Sequence, residues 1–343
     1  MKSQILGFGR SGGRLHHPCL LKAAERQSDI ISGRIAVIER REIQAPCGVP
    51  VFREFADVID FDPADTVVHI CNEPSGHEPA LQAAVAVGYR QFILEKPVAG
   101  STADVMRIVS SARKNALKVV INFPWQATGL TTSLRKIVAS GRYGSLKRLT
   151  MVKTKTRQPR AGEADDLASF GVELPHEVAL ALYLTGRPGT VVGVSSKPFV
   201  SAGRLVPFMG GASMTLDHGG TISDLQSDLD CPVRERRIDL FFENGWRVRG
   251  FYPVDGTDGT QRALFFDDKG ALRSQVKFSN DPMTDLFLEA YRYFAGLGPE
   301  PSATLSLGVE SALLTCEAKS IFRRLGSGDA NGNDSPQLEG AAA

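Results

Sequence analysis

The stretch Gln4-Ile5-Leu6-Gly7-Phe8-Gly9-Arg10-Ser11-Gly12 decides the fold of this chain. A short apolar segment enters a turn with the spacing Gly-x-Gly-x-x-Gly, and residues 13–26 then have the pattern of a helix. Gly7 permits a tight turn, Gly9 lets a pyrophosphate approach the backbone, and Gly12 lets the helix pack close to the strand. A bound pyrophosphate would then lie at the N-terminus of the helix. The motif alone is weak, but its strand–turn–helix context predicts dinucleotide binding.

Apolar strands and helices alternate from this turn to about residue 123. Continuous apolar strands that alternate with helices indicate a parallel sheet that is covered on both faces. The predicted strands are residues 4–6, 34–38, 66–71, 91–94 and 118–121, and the predicted helices are residues 13–26, 78–87 and 102–115.

The pattern becomes mostly β after a predicted helix at residues 131–140. Asn244-Gly245 predicts a hairpin turn between two of the later strands. Helices are predicted again at 285–295 and 309–325. The tail from 326 to 343 has too few apolar residues to pack against a core, which predicts disorder. The predicted strands of this half are residues 149–155, 190–197, 212–217, 237–242, 246–252, 263–266 and 274–278.

The composition narrows the class of protein. A chain of 343 residues with 42% hydrophobic residues can bury the cores of two domains. A net charge of +2 does not call for nucleic acid as a partner, and no apolar run is long enough to cross a bilayer. The strand-like start leaves no signal peptide, and the five dispersed cysteines favour reduced thiols over a zinc site. We therefore expect a cytoplasmic protein that uses no metal.

The end of the second predicted strand bears on the choice of dinucleotide. Glu39 stands where an acid bonds the ribose hydroxyls of the adenosine and repels a 2′-phosphate, which favours NAD. Arg40 and Arg41 follow directly and offer a receptor for that phosphate, so NADP is the alternative.

Glu95-Lys96-Pro97 follows the strand predicted at 91–94. Open α/β sheets bind ligands beyond the carboxyl ends of their strands, so Lys96 is expected at the ligand site. A lysine there can donate a hydrogen bond to a substrate hydroxyl and stabilise the developing alkoxide. Glu95 is expected to hold the lysine in place. The alternative is an ordinary exposed lysine at the end of a strand.

His176 is the candidate general acid/base, because histidine titrates near neutral pH. Pro175 suits the first turn of a helix that continues through 178–184, which places His176 near the start of that helix. The alternative is a histidine that only caps or packs.

These motifs together resemble one family. The turn at Gly7–Gly12, the segment Cys71-Asn72-Glu73-Pro74-Ser75-Gly76-His77, the Glu95-Lys96-Pro97 motif and His176 are similar to the glucose–fructose oxidoreductase / inositol dehydrogenase / MocA-type (Gfo/Idh/MocA) family. The resemblance extends through most of the chain, and the Glu-Lys-Pro motif is its most specific part.

The resemblance implies an α/β protein of two domains. Residues 1–123 would form an NAD(P)-binding Rossmann domain with a doubly wound parallel sheet. Residues 124–325 would form a domain with a mostly antiparallel open sheet, which binds the substrate and makes a homodimer or homotetramer. The implied activity is hydride transfer between nicotinamide and a secondary alcohol or ketone of a sugar, amino sugar, cyclitol or sugar nucleotide.

The resemblance also carries over further site residues. Asn72, His77 and Asn122 are expected to line the cofactor site, and Pro97 is expected to follow a cis bond. The predicted cofactor-binding set is Gly7, Phe8, Gly9, Arg10, Ser11, Gly12, Glu39, Arg40, Asn72, His77, Glu95, Lys96, Pro97 and Asn122.

The chain departs from the family pattern just before His176. The family usually has an aspartate four residues before this histidine, where this chain has Val172, and a carboxylate comes one residue later at Glu173. Glu173 is the candidate third catalytic residue that would orient His176, with Glu177 as the alternative. Either carboxylate would also suit the start of a helix without any catalytic role.

Three residues complete the predicted substrate set with Lys96 and His176. Trp125 would form a wall for a sugar ring or pack between the domains. Lys153 and Arg157 would contact a phosphate or carboxylate of the substrate, or form a solvated face.

Two other functions fit the same motifs. One is reduction of an imine or C=C bond, as in bilin-reducing relatives, and the altered segment before His176 would suit it. The other is a non-catalytic regulator that senses NAD, against which the presence of both Lys96 and His176 argues.

Overall fold

A computed structural model describes residues 1–156, 168–201, 204–254 and 258–328. Arg157 and residues 329–343 of the predicted tail lie outside this part of the chain. Within it the first sheet has six parallel strands in the order β3-β2-β1-β4-β5-β6. Its strands are β1 (Lys2–Leu6), β2 (Ile35–Ile38), β3 (Val51–Phe52), β4 (Thr66–Ile70), β5 (Gln91–Leu94) and β6 (Lys118–Ile121).

The strand order of this sheet reverses between β1 and β4, which confirms the predicted doubly wound parallel sheet. Such a reversal opens a crevice at the carboxyl ends of the two strands, where ligands bind. The short edge strand β3 was not predicted. The helices that connect the strands are α1 (His17–Arg26), α2 (His77–Val87) and α3 (Thr102–Lys114).

The helix predicted at 13–26 begins differently from an ordinary α-helix. Gly12–His16 is a π-helical turn, and α1 follows it without a break. A π-helical turn accommodates an additional residue within a helix, and this arrangement turns the His16 side chain into the core.

The second sheet has eight strands and is mostly antiparallel, in the order β14-β13-β12-β11-β7-β10-β9-β8. The predicted hairpin at Asn244-Gly245 joins β11 to β12. β10 was not predicted, because polar residues outnumber apolar ones along it, and it pairs with β7 in parallel. The strands are β7 (Leu146–Thr156), β8 (Thr190–Ser201), β9 (Arg204–Asp217), β10 (Ile222–Asp228), β11 (Asp230–Phe242), β12 (Arg247–Phe251), β13 (Thr260–Phe266) and β14 (Leu272–Ser279).

The remaining helices cover the second sheet and return to the first. α8 continues three residues beyond the end predicted at 325. None of the helices in the described ranges combines the length and the apolar run that a bilayer crossing needs. These helices are α4 (Gly129–Ser140), α5 (Ala168–Val172), α6 (Pro175–Thr185), α7 (Pro282–Phe294) and α8 (Leu305–Gly328).

The buried apolar side chains form two main cores, one on each sheet. The core of the first sheet includes side chains from the end of the chain, among them Phe287 and Tyr291 of α7 and Ala312 of α8. The chain therefore builds the first sheet, then the second, and finally packs α7 and part of α8 back on the first. The domain boundary between residues 123 and 124 stays a prediction.

Candidate active site

The glycine turn after β1 has the geometry that its sequence predicts. Gly7 has a positive φ of 85°, and a Cβ atom there would lie 2.9 Å from the backbone nitrogen of Asn72. A Cβ on Gly12 would overlap the carbonyl oxygen of Gly7 and lie 2.9 Å from Cγ2 of Ile5. A Cβ on Gly9 would meet only the end of the Arg41 side chain, at 3.9 Å. Two glycines therefore permit close packing, and the third leaves the backbone open.

An open cleft of about 820 Å³ lies against this turn. Phe8, Gly9 and Arg10 of the predicted set line it. A cleft of this size, next to an exposed turn backbone and the N-terminus of a helix, fits a dinucleotide. The sequence did not single out the other lining residues, which are Gly13, Arg14, Leu15 and Gln44.

Glu39 ends β2 beside the turn and is already fully bonded. Its Oε2 accepts hydrogen bonds from the Phe8 backbone N–H (3.1 Å) and from Nη2 of Arg41 (2.8 Å). Its Oε1 accepts from the backbone N–H (3.2 Å) and Nε (3.1 Å) of Arg41. These bonds, chiefly those from the Arg41 side chain, lower the pKa of Glu39 to about 2 although burial opposes the shift. Arg40 is exposed and pairs with Glu54 at 3.7 Å.

Glu95 is the centre of a buried polar cluster at the end of β5. Its Oε1 accepts hydrogen bonds from the Ser11 hydroxyl, from Nε2 of His16 (3.0 Å) and from Nδ2 of Asn122 (2.8 Å). Its Oε2 accepts from the backbone N–H of Lys96 at 3.2 Å. Burial alone would raise the pKa of Glu95, but His16, Lys96 and Ser11 outweigh it and the net shift is downward. An ionised carboxylate therefore joins the glycine turn, β5 and β6.

Lys96 follows Glu95 and is partly buried, with a cis peptide bond to Pro97 as the resemblance implied. Burial lowers the pKa of Lys96, and Glu95, Glu173 and Glu177 partly oppose this shift. The Lys96 ammonium in turn lowers the pKa of His176, which shows that the two predicted catalytic residues lie in one electrostatic environment.

His176 lies in the first turn of α6, after Pro175, as predicted. Its pKa is well below the usual range, first because of burial and then because of Lys96 and Lys153. Its Nδ1 is buried and has no hydrogen-bond partner among the described residues. The imidazole is therefore neutral at neutral pH and available to accept a proton.

Neither Glu173 nor Glu177 bonds Nδ1 of His176, which has no hydrogen-bond partner among the described residues. Oε2 of Glu173 accepts a hydrogen bond from Lys155 (2.8 Å) and lies 3.3 Å from Nζ of Lys153. Oε1 of Glu177 also lies 3.3 Å from Nζ of Lys153. Two ammonium groups on β7 therefore hold these carboxylates, and an orienting role of Glu173 at His176 stays a prediction. Lys153 is buried between them and also lines the cavity beside His176, so its contact with a substrate stays a prediction.

A small cavity of about 20 Å³ adjoins His176. Trp125 forms one wall: its ring centroid lies 6.3 Å from that of His176 and 4.8 Å from that of Tyr252. The Arg236 guanidinium lies over the Trp125 ring at 4.7 Å. Oε2 of Glu177 is buried here and has no partner in the described ranges. Trp125 thus lies beside the catalytic candidate and packs against the core of the second sheet.

His77 joins two loops and is not among the residues that line the cleft beside the glycine turn. Its role at the cofactor stays a prediction. The ring is fully buried, with Nε2 3.0 Å from the Asn72 carbonyl oxygen and Nδ1 3.1 Å from that of Val98. It joins the loop after β4 to the loop after β5. Asn72 itself packs beside Gly7, and its Oδ1 is buried without a partner among the described residues.

Several residues of the site have no local sequence signal. His16, His69 and Tyr291 lie far apart in the chain and form a row behind Glu95. Arg236, in the middle of β11, and Tyr252, directly after β12, reach the cavity from the second sheet. His69 is a polar residue within the largely apolar strand β4, and this sequence context could have indicated that its side chain belongs to a buried polar cluster. In the described ranges, no group of three or more His, Cys, Asp or Glu side chains is arranged to hold a metal ion.

Comparison with protein families matches residues 1–123 to the Gfo/Idh/MocA model, described as the oxidoreductase family with an NAD-binding Rossmann fold. A comparison with the curated proteins finds no matching sequence.

Solved structures with the same fold span nearly the whole chain. An oxidoreductase from Desulfitobacterium hafniense, named as NADPH-dependent, is 14% identical with a TM-score of 0.79, over 95% of this chain and 96% of that one. UDP-N-acetylglucosamine 3-dehydrogenase from Acidithiobacillus ferrooxidans is 15% identical with a TM-score of 0.72, over 94% and 98%. Aldose-aldose oxidoreductase from Caulobacter crescentus is 16% identical with a TM-score of 0.73, over 95% and 98%.

The predicted resemblance is confirmed by the sequence match over the first domain and by the shared fold over both. Residues 1–123 match the NAD-binding Rossmann fold of the Gfo/Idh/MocA oxidoreductase family, and the chain continues into a second sheet that is mostly antiparallel.

Proposed function

We propose that the protein is an NAD(P)-dependent oxidoreductase acting on a secondary alcohol or ketone of a sugar, amino sugar, cyclitol or sugar nucleotide. One observation carries the proposal: Lys96 directly follows Glu95, which is bonded to Ser11 of the glycine turn, and its ammonium is near enough to His176 to lower the pKa of that imidazole. Two of the solved structures with this fold are named for reactions of sugars or sugar nucleotides, which supports the substrate class.

The chemical roles follow from charge and protonation. A bound dinucleotide would supply the hydride acceptor or donor through its nicotinamide, and the glycine turn would hold its pyrophosphate. Nζ of Lys96 donates a hydrogen bond to the substrate oxygen and stabilises the negative charge that develops there. The neutral imidazole of His176 accepts the hydroxyl proton during oxidation and returns it during reduction. Lys96 and Lys153 disfavour the imidazolium, which helps His176 pass the proton on.

The first test is substitution of Lys96. Lys96→Ala should lower turnover by about 10²-fold or more, because a single electrostatic donor at the reacting oxygen contributes that much. The dissociation constant of NADH or NADPH, measured by fluorescence titration, should stay nearly unchanged. Substrates would come from a panel of sugars, amino sugars, cyclitols and sugar nucleotides, followed at the nicotinamide absorbance. Lys114→Ala, an exposed lysine on α3, is the matched control.

Two results would count against the proposal. Unchanged turnover in Lys96→Ala would remove Lys96 from the mechanism. Cofactor binding without turnover on any member of the panel would favour the imine or ene reductase, or the NAD-sensing regulator. Addition of imine and enone substrates to the panel distinguishes these two.

We further propose that Glu39 and Arg41 together select the cofactor and that the protein accepts both NAD and NADP. A carboxylate has about four acceptor positions, and Phe8 and Arg41 occupy them with four hydrogen bonds. Glu39 must therefore release Arg41 to bond a ribose hydroxyl. With Arg41 in place, the same position presents a guanidinium that suits a 2′-phosphate.

We also propose a cytoplasmic homodimer or homotetramer that binds no nucleic acid or membrane. Support for self-association comes from the outer strands of the second sheet, where Val192, Val200 and Leu205 are each more than half exposed. Sedimentation of the purified protein measures the assembly, and a monomer at micromolar concentration would contradict this proposal.

A further inference from the structure

A buried row of polar side chains runs from the edge of the cofactor cleft into the core of the first domain. Nε2 of His16 lies 3.0 Å from Oε1 of Glu95, and Nδ1 of His16 lies 2.9 Å from Nδ1 of His69. Nε2 of His69 lies 2.9 Å from the Tyr291 hydroxyl, which lies 2.6 Å from Oγ of Ser3. The four side chains beyond Glu95 are at most 1% exposed.

The row joins parts of the chain that are remote in sequence. Ser3 lies on β1, His16 on the π-helical turn, His69 on β4 and Tyr291 on α7. The ring of Phe287 packs against both histidines, so the surroundings are apolar. Buried polar groups destabilise a core unless each is hydrogen-bonded, so apolar side chains would serve packing better here.

The donors and acceptors of the row fall into one order. An ionised Glu95 only accepts, so Nε2 of His16 donates to it, and Nδ1 of a neutral His16 must accept. Nδ1 of His69 then donates to His16, and Nε2 of His69 accepts from the Tyr291 hydroxyl. The Tyr291 oxygen finally accepts from Ser3. Every proton in the row has an acceptor.

The opposite order leaves one proton without an acceptor. A protonated His16 would donate from both nitrogens, so Nδ1 of His69 would have to accept. Nε2 of His69 would then donate to the Tyr291 oxygen, and the Tyr291 hydroxyl would donate to Ser3. In the described part of the chain the only hydrogen-bond partner of the Ser3 hydroxyl is Tyr291, so its proton would then be buried and unsatisfied, a costly arrangement. Burial lowers the pKa of His69 and raises that of Tyr291, which keeps both neutral.

We propose that Ser3, Tyr291, His69 and His16 form a one-directional hydrogen-bond relay that fixes the Glu95 carboxylate. None of the four is a catalytic residue; they are positioning residues that act through Glu95, whose Oε2 accepts from the backbone N–H of Lys96. The other groups that face Glu95 are Ser11 and Asn122, which donate to it, and the thiol of Cys71 with the ring of His77, which feel its charge.

The kinetic test compares two buried tyrosines of the same domain, and this part alone rests on the proposed function. Tyr291→Phe removes the relay's hydroxyl and should lower kcat about threefold to tenfold, the effect of one ordinary hydrogen bond, with KM unchanged. Tyr89→Phe is the matched control, because its hydroxyl bonds Gln4 (2.6 Å) and the Phe61 carbonyl oxygen (3.3 Å), away from Glu95. Both variants should lose similar thermal stability, but only Tyr291→Phe should lose kcat. Equal kcat values would overturn the positioning role.

The spectroscopic test needs no substrate. Nitrogen-15 labelling of the six histidines and NMR of their ring nitrogens at neutral pH report each tautomer. We expect a neutral His16 with its proton on Nε2 and a neutral His69 with its proton on Nδ1. A protonated His16, or a His69 with its proton on Nε2, would overturn the relay. These spectra do not depend on turnover, so an inactive wild-type protein would contradict the proposed function and leave the relay to be judged by the tautomers.

Discussion

At the scale of single residues, the site depends on side chains whose neighbours move their pKa. In the proposed mechanism His176 must be neutral to accept a proton, and burial with Lys96 and Lys153 lowers its pKa. Lys96 must be charged to stabilise the substrate oxygen, and burial lowers its pKa as well. The two shifts have the same direction, so the pH range in which both residues are in the required state moves downward as a whole.

We expect a bell-shaped dependence of kcat/KM on pH for alcohol oxidation. Activity rises as His176 loses its proton, at a pH below the usual histidine pKa of 6.5, and falls as Lys96 deprotonates, below the usual 10.5. His176→Gln should lower kcat by about 10²-fold or more and remove the acid limb. His218→Gln, a buried histidine of the second domain, should keep both limbs. An acid limb above pH 7 in the wild type would contradict these assignments.

Arg41→Ala should shift cofactor preference toward NADH. The substitution frees Glu39 for the ribose hydroxyls and removes the guanidinium that suits a 2′-phosphate. We expect the ratio of the NADPH to the NADH dissociation constant to rise by about tenfold or more, since a charge-assisted hydrogen bond contributes about 1.5–3 kcal/mol. Arg90→Ala, at the opposite end of the sheet, should leave the ratio unchanged. An unchanged ratio in Arg41→Ala would show that Arg41 does not select the cofactor.

At the scale of elements, two glycines of the turn are expected to have different roles: Gly12 permits close packing, and Gly9 permits dinucleotide binding. Gly12→Ala places a Cβ against the Gly7 carbonyl and Ile5, so we expect it to reduce the free energy of unfolding by about 1–3 kcal/mol. Gly9→Ala meets only the Arg41 side chain and should leave the stability nearly unchanged. It should still weaken dinucleotide binding, because the methyl group stands where the pyrophosphate approaches the backbone. Thermal unfolding and cofactor titration of both variants test this, and equal stabilities would contradict it.

The elements of the first sheet could be predicted because their signals are local. Each long strand contains an apolar run, such as Ile35–Ile38, and α2 ends at Gly88 with a positive φ of 113°, a position that glycine favours. β10 escaped prediction because a polar strand between two neighbours has no apolar run of its own. The π-helical turn escaped because its hydrogen bonds, and not its composition, distinguish it from an α-helix.

The site could be predicted only in part for the same reason. Lys96 and His176 stand in motifs, so their positions follow from the sequence. The partners of Glu173 on β7, and those of Glu95 on the helix and on β6, are brought together only by the tertiary fold. The partner of a carboxylate depends on which side chains are close to it in the folded protein, and the spacing of residues along the sequence does not show this.

At the scale of the whole molecule, the two ends of the chain share one core. Lys22 pairs with Asp281 at 2.9 Å and Arg26 pairs with Asp285 at 2.9 Å, which joins α1 to α7. Phe287 of α7 is fully buried in the first core and contacts His16. The cofactor domain is therefore completed by residues that follow the second sheet.

We expect Phe287→Ala to affect both stability and cofactor binding. Loss of a buried phenylalanine should lower the free energy of unfolding by about 3–5 kcal/mol. Because Phe287 packs on His16 behind Glu95, NADH affinity should fall as well. Phe170→Ala removes an equally buried ring from the second core and should lower stability without weakening NADH binding. Equal NADH affinities in the two variants would contradict this coupling.

The return of α7 to the first sheet also constrains how such a protein can change by recombination. A single crossover between residue 123 and the start of α7 would pair the first sheet of one parent with the closing helix of the other. The acidic residues of the two ion pairs, Phe287 and Tyr291 would then come from a different parent than the residues they contact. Those contacts would form only by chance. The beginning and the end of the gene are therefore expected to be inherited together, while the stretch between them is free to be exchanged for a different substrate domain.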